Sequence, residues 1–125
     1  MTVSQDTLEL LRDRLRDFAE ARDWTQFHTP KNLAMALVGE AAEVVEHFQW
    51  LTPEASAELD DADRQAVSHE LADVLLYLVR LADRLDIDLR AAALEKLAIN
   101  AERYPVDRAY GRADKYTRLG TDDDD

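Results

Sequence analysis

The chain has 125 residues, 46% apolar and 34% charged, with no cysteine and a formal charge of −12. The apolar share excludes a disordered polymer, and the length suits one domain whose large surface share makes subunit contacts useful. Lack of cysteine excludes a disulfide framework and a thiolate metal site, which leaves oxygen and imidazole ligands for any metal, while the acidic balance argues against a nucleic-acid polymer but not against a small metal-chelated anion.

Met1 to Asp6 lacks a basic segment leading into an apolar run, and no stretch has membrane-span length, so the expectation is a cytoplasmic protein without a membrane partner. Only three glycines and three prolines punctuate the chain, and no segment alternates long enough to read as a strand. An all-α fold is expected. Leu8, Leu11, Leu15 and Phe18 recur at helical spacing after Asp6 and Glu9, an N-cap and its N3 partner, and predict a first helix over about residues 5–22. Thr29-Pro30 starts a second helix that runs to about Trp50. Thr52-Pro53 opens a short turn ending near Leu59, a third long helix is expected over about 62–85, and Asp88 caps a fourth that ends at Tyr104-Pro105. The third is apolar on most sides, through Leu71, Val74, Leu75, Leu78 and Val79, and should be central and part of a subunit interface. The expected subunit is a four-helix bundle over residues 1–118. Residues 103–118 carry five basic and two acidic side chains, reversing the overall sign, and residues 119–125 read as an acidic, solvated tail.

The chemistry lies where the helical stripes are interrupted. At about 100° per residue, Leu33, Leu37, Val44 and Leu51 define the buried stripe of the second helix; Glu40 falls inside it and Glu43 about 60° to one side. On the third helix, Val67, Val74 and Leu81 define the stripe, with Glu70 inside it and Asp73 at the same offset. A single such pair is ordinarily a solvated face. Two pairs that both invade an apolar stripe point to a divalent cation, because converging carboxylates are too costly to bury unpaired. Mg²⁺ suits an open, all-oxygen site that shares its shell with phosphates. Glu46 points away and belongs to the surface. A di-iron bundle would need Glu-x-x-His pairs, which neither His47 nor His69 completes, and the chain has no glycine-rich phosphate loop and no G-x-S-x-G elbow.

Lys96, Asn100 and Arg103 form one polar stripe on the fourth helix, which suits phosphate oxygens, although a solvated face accounts for it equally well. Trp24, Phe27 and His28 crowd the loop between the first two helices, and Trp50 ends the second; a base could stack there, with core packing or capping the plainer roles. Tyr77, one turn past Asp73, either aims its hydroxyl at the acidic site or fills the core.

Taken together, Gly39-Glu40-Ala41-Ala42-Glu43 followed by Glu70-Leu71-Ala72-Asp73 resembles the signature of the MazG-like all-α nucleoside triphosphate pyrophosphohydrolases. The run from Arg22 to His28, the segments from Gly39 to Trp50, Glu70 to Leu78 and Lys96 to Pro105, and Lys115-Tyr116-Thr117 are similar to the dCTP pyrophosphatase branch. The resemblance implies Mg²⁺, with Mn²⁺ as a substitute, on Glu40, Glu43, Glu70 and Asp73; phosphate contacts from Lys96, Asn100, Arg103 and Tyr77; and a base pocket of Trp24, His28 and Trp50. It implies cleavage between the α- and β-phosphates, with relatives acting on dUTP and other nucleotides sharing the metal motif. The non-enzymatic alternative is a helical oligomerisation or adaptor module held by interhelical ion pairs, for which Lys31, Arg64, Arg80 and Arg84, toward the helix ends, are the few available cations.

Overall fold

The computed structural model describes residues 5–119. The acidic run from Asp122 to Asp125, and most of the segment from Met1 to Asp6 read above for a leader, lie outside them. Helix α1 spans Thr7–Ala21, α2 Pro30–Phe48, α3 Pro53–Ser56, α4 Asp61–Arg84, α5 Leu89–Arg103 and α6 Val106–Ala109, with single 3₁₀ turns at Thr25–Phe27 and Tyr116–Arg118. Among the described residues there is no strand, and no helix is long and apolar enough to cross a membrane. The start signals act as expected. The Asp6 carboxylate accepts from the Leu8 N–H at 2.7 Å, Thr29 Oγ1 from Asn32 and Thr52 Oγ1 from Ala55, while α4, for which no cap was expected, is capped by Asp60 accepting from Asp63. Pro30 and Pro53 occupy first helical positions, where a missing N–H costs nothing.

The helix ends are less ordinary. After α1, Asp23 takes a left-handed φ of 54°, its N–H donates to Glu20 O, and the Trp24 N–H donates to Ala19 O at 2.9 Å. After α4, Asp86 at φ 55° repeats the pattern, with Asp86 donating to Asp83 O and Ile87 to Ala82 O at 2.8 Å. Both are Schellman closures in which aspartate sits where glycine is usual. The first fixes the direction in which Trp24 and His28 leave α1.

Contact clustering divides the chain into two compact units, Met1–Asp88 and Leu89–Asp125. Of the four long helices expected, three build the first unit and α5 belongs to the second. In the first unit α4 packs along α2 and also against α1, which makes it the central helix the sequence predicts. Its buried apolar residues are Ala19, Leu33, Val67, Val79 and Ala82. Of the expected α2 stripe, Leu33 is buried and Leu37 and Val44 are half-buried, whereas Leu51 lies past the helix end and is exposed. Met35, Val38, Val45 and Leu71 are each more than half exposed, so an isolated chain leaves apolar surface of α2 and α4 in water. In the second unit, Leu119 is buried, and the Tyr104 and Tyr116 rings meet edge to face at 6.0 Å.

A left-handed φ costs a residue with a Cβ more than it costs glycine. Asp86→Gly is expected to stabilise the fold by about 0.5–1 kcal/mol, read as a higher denaturation midpoint at fixed protein concentration.

Candidate active site

Glu40 and Glu43 stand one turn apart on α2, and Glu70 faces them from α4. One carboxylate oxygen of each lies within 4.8 Å of the other two. Glu40 and Glu70 are half-buried and Glu43 is exposed. Among the described residues three buried side-chain oxygens lack a hydrogen-bond partner, and two of them are Glu40 Oε2 and Glu70 Oε2. Both groups hold their protons more tightly than ordinary glutamates. For Glu40 the main cause is burial, followed by the charge and hydrogen bonding of Glu43; for Glu70 it is the hydrogen bond with Glu43, then burial, with His47 acting weakly against.

No Lys or Arg among the described residues forms an ion pair with this cluster. The imidazole of His47 stands beside it, with Nε2 3.9 Å from Glu70 Oε1. Sequence reasoning used His47 only to exclude a di-iron site, although its place four residues after Glu43 and seven after Glu40 puts it on the same face. Glu46 is exposed, as expected. An all-oxygen donor set with two orphaned oxygens and no basic counterion fits a divalent cation of the hard type.

Asp73 stands apart from this trio. It is near enough to raise the proton affinity of Glu40 and Glu70, yet its side chain lines a neighbouring cavity of about 440 Å³. Trp24, His28 and Tyr77 line the same cavity, together with Leu11, Leu15, Phe18, Leu33 and Leu76, and with Arg14 and Arg80 as its cations. The structure therefore gathers Trp24, His28, Tyr77 and Asp73 into one apolar-walled pocket. Trp50 is not part of it: at 88% exposure it lies at the far end of α2, more than about 20 Å along the helix axis from Leu33. Lys96, Asn100 and Arg103 share one face of α5 in the second unit, where the Arg103 guanidinium sits 4.7 Å from the centre of the Tyr116 ring.

The cations at the end of α4 point to the cavity side. Arg80 lies toward the end of α4, as expected, and is the one buried charged residue among those described, 5% exposed. Its guanidinium donates from Nε to His28 Nδ1 at 3.0 Å and from Nη1 to Asp83 at 3.2 Å, and Asp83 also accepts from Arg16 Nε at 2.8 Å. The Arg16 hydrogen bond is the main reason Asp83 holds its proton more weakly than a free aspartate. Arg84 donates to the His28 carbonyl at 3.1 Å. The available signal was the position of Arg80 seven residues after Asp73, on the same face of α4.

The MazG-like family model matches residues 36–119. The chain belongs to the MazG-like family. It is 47% identical over 118 residues to dCTP pyrophosphatase 1 of Bos taurus, covering 93% of this chain and 70% of that protein. Identity to dCTP pyrophosphatase 1 of Homo sapiens is 46% over 117 residues, with coverage of 92% and 69%. The crystal structure of a pyrophosphatase from Archaeoglobus fulgidus superposes with a TM-score of 0.77 at 37% identity, over 84% of this chain and 98% of that one. Kinship at this level makes the chain a nucleoside triphosphate pyrophosphohydrolase and sets the adaptor alternative aside.

Because Glu40 and Glu70 bind protons more tightly folded than unfolded, their contribution to stability is most favourable at low pH. It declines as pH rises from the ordinary glutamate range through their raised folded values. Glu70→Gln removes one of these like charges. The metal-free variant should melt above wild type at neutral pH, and the two curves should converge near about pH 4. Comparing the two proteins cancels the opposite trend from Asp83, whose lowered value favours folding at higher pH.

Proposed function

We propose that the chain is an Mg²⁺-dependent pyrophosphohydrolase acting on dCTP or a modified deoxycytidine triphosphate, releasing the monophosphate and pyrophosphate and so cleansing the cytoplasmic nucleotide pool. The observation that carries this reading is the convergence of Glu40, Glu43 and Glu70, two of them with orphaned oxygens, in a relative of dCTP pyrophosphatases. Glu40, Glu43 and Glu70 would hold the cation, with Asp73 completing the set from the cavity side. The bound cation, Mg²⁺ or Mn²⁺ in its place, supplies neutralisation of triphosphate charge and polarisation at the α-phosphorus.

The remaining work falls to the chain's own side chains. Trp24 would offer a stacking face and His28 a hydrogen-bonding edge to the base, in a cavity with leucine walls. Tyr77 lines that cavity one turn beyond Asp73, from which its hydroxyl would steady the sugar or first phosphate. Lys96 would meet phosphate oxygens as a point charge, Arg103 would grip two at once, and Asn100 would donate from its amide. In the reaction, water attacks the α-phosphorus and the bond from that phosphorus to the bridging oxygen breaks. The exposed apolar faces of α2 and α4 support assembly as a homodimer or homotetramer, and Trp50 would join a base pocket only within such an assembly.

Incubation with Mg²⁺ and each common dNTP or NTP, followed by assay of pyrophosphate and monophosphate, should show release, with dCTP ranked first. Preference for dUTP would keep the reaction and overturn the base assignment. Glu70→Gln should retain its helical circular dichroism yet lose about 10²-fold or more in kcat, and full activity in the folded variant would remove Glu70 from the metal site. Mg²⁺ at 100 times its dissociation constant should stabilise wild type by about 2.7 kcal/mol in thermal melts, and the variant much less.

A further inference from the structure

The cavity holds one polar contact that neither metal binding nor stacking explains. Arg80, 5% exposed, directs Nε at His28 Nδ1 from 3.0 Å. A guanidinium has five N–H donors and no acceptor, so this contact can only be donation, and the accepting nitrogen must carry no proton. The imidazole then has a single place for its remaining hydrogen, on Nε2. We infer that Arg80 is a positioning residue that holds His28 as the neutral Nε2–H tautomer, so that the cavity presents a fixed hydrogen-bond donor to an acceptor edge of the base.

The surrounding contacts make the arrangement rigid. Asp83, only 9% exposed in its side chain, accepts from Arg80 at 3.2 Å and from Arg16 of α1 at 2.8 Å, so the guanidinium is anchored on the side away from the imidazole. Arg84 Nε binds the His28 carbonyl at 3.1 Å and fixes the backbone. Trp24 meets the imidazole edge to face at 6.4 Å, which limits rotation of the ring. Burial first, then the charges of Arg80 and Arg84, disfavour the imidazolium, so the ring stays neutral as well as oriented. His28 and Arg80 both line the cavity, with the Nδ1 edge of the ring already occupied. Cytosine carries acceptors at O2 and N3 and matches such a donor. Arg80 thus acts through His28 rather than on the reacting phosphates, and this assignment rests on the reading of the cavity as the base pocket.

The test is a long-range ¹H–¹⁵N correlation spectrum of the imidazoles in the full-length, metal-free protein near neutral pH. The three histidines make assignment by loss of one signal in His28→Gln direct. Wild-type His28 should show protonated Nε2 and bare Nδ1. In Arg80→Met the tautomers should mix, and Arg80→Lys, which keeps a donor, should restore the wild-type pattern. A protonated Nδ1, or a mixture in wild type, overturns the inference, and this measurement needs no variant of Arg80 that might misfold. In Mg²⁺-supported turnover, Arg80→Met should raise KM for the preferred nucleotide by about tenfold, with kcat changing less. Placed on top of His28→Gln, it should add little. Additive losses would mean that Arg80 contacts substrate directly and would overturn the positioning role. Failure of the proposed function reads differently: wild type would release pyrophosphate from no nucleotide, which removes base selection, while the tautomer remains decided by the spectrum.

Discussion

Repulsion among Glu40, Glu43 and Glu70 is the constraint around which the first unit is arranged. Three carboxylates drawn into one small volume, two of them half-buried, oppose the association of α2 and α4 at the point where those helices touch. Apolar contacts along the same helices, with Leu33 and Val67 buried, outweigh that repulsion and hold the charges together. The site is therefore preorganised at the expense of stability, and the residual strain appears as the raised proton affinity of Glu40 and Glu70. A divalent cation relieves the repulsion, so binding and stability are linked.

The opposite edge of α4 solves the converse problem. There a positive charge, Arg80, is buried, and it is tolerated because Asp83 and His28 occupy its donors while Arg16 shares the negative partner. A single helix thus carries Glu70, left without a Lys or Arg partner among the described residues, and, toward its other end, a buried cation whose charge is balanced by Asp83. The cavity lies between them, and Asp73 and Arg80 are its charged landmarks on α4.

Much of this was legible from the chain alone. Caps at Asp6, Thr29 and Thr52 have local causes, and the helices begin within about two residues of their expected starts because the capping hydrogen bonds act over two or three positions. The carboxylate trio was legible because Glu40 and Glu70 break an apolar period. Asp73 was grouped with them by face, and its place on the wall of the neighbouring cavity was not legible, since a spacing of three residues does not say whether a side chain turns to the neighbouring helix or along the groove. The Arg16, Asp83, Arg80 and His28 chain joins residues up to 67 positions apart and leaves no periodic trace. The closures at Asp23 and Asp86 were hidden for another reason: glycine usually announces them, and aspartate takes its place here. Likewise α6 is a single turn, too short for any period to register.

The spacing of Glu70 and Asp73 has a consequence for what can occupy the site. Three residues of α-helix rise about 4.5 Å, and a helix locked by packing on two sides neither stretches nor bends appreciably along that length. One carboxylate belongs to the charged cluster and the other to the cavity wall. Helix α4 therefore acts as a rigid spacer, holding the charged cluster and the cavity wall at one fixed separation.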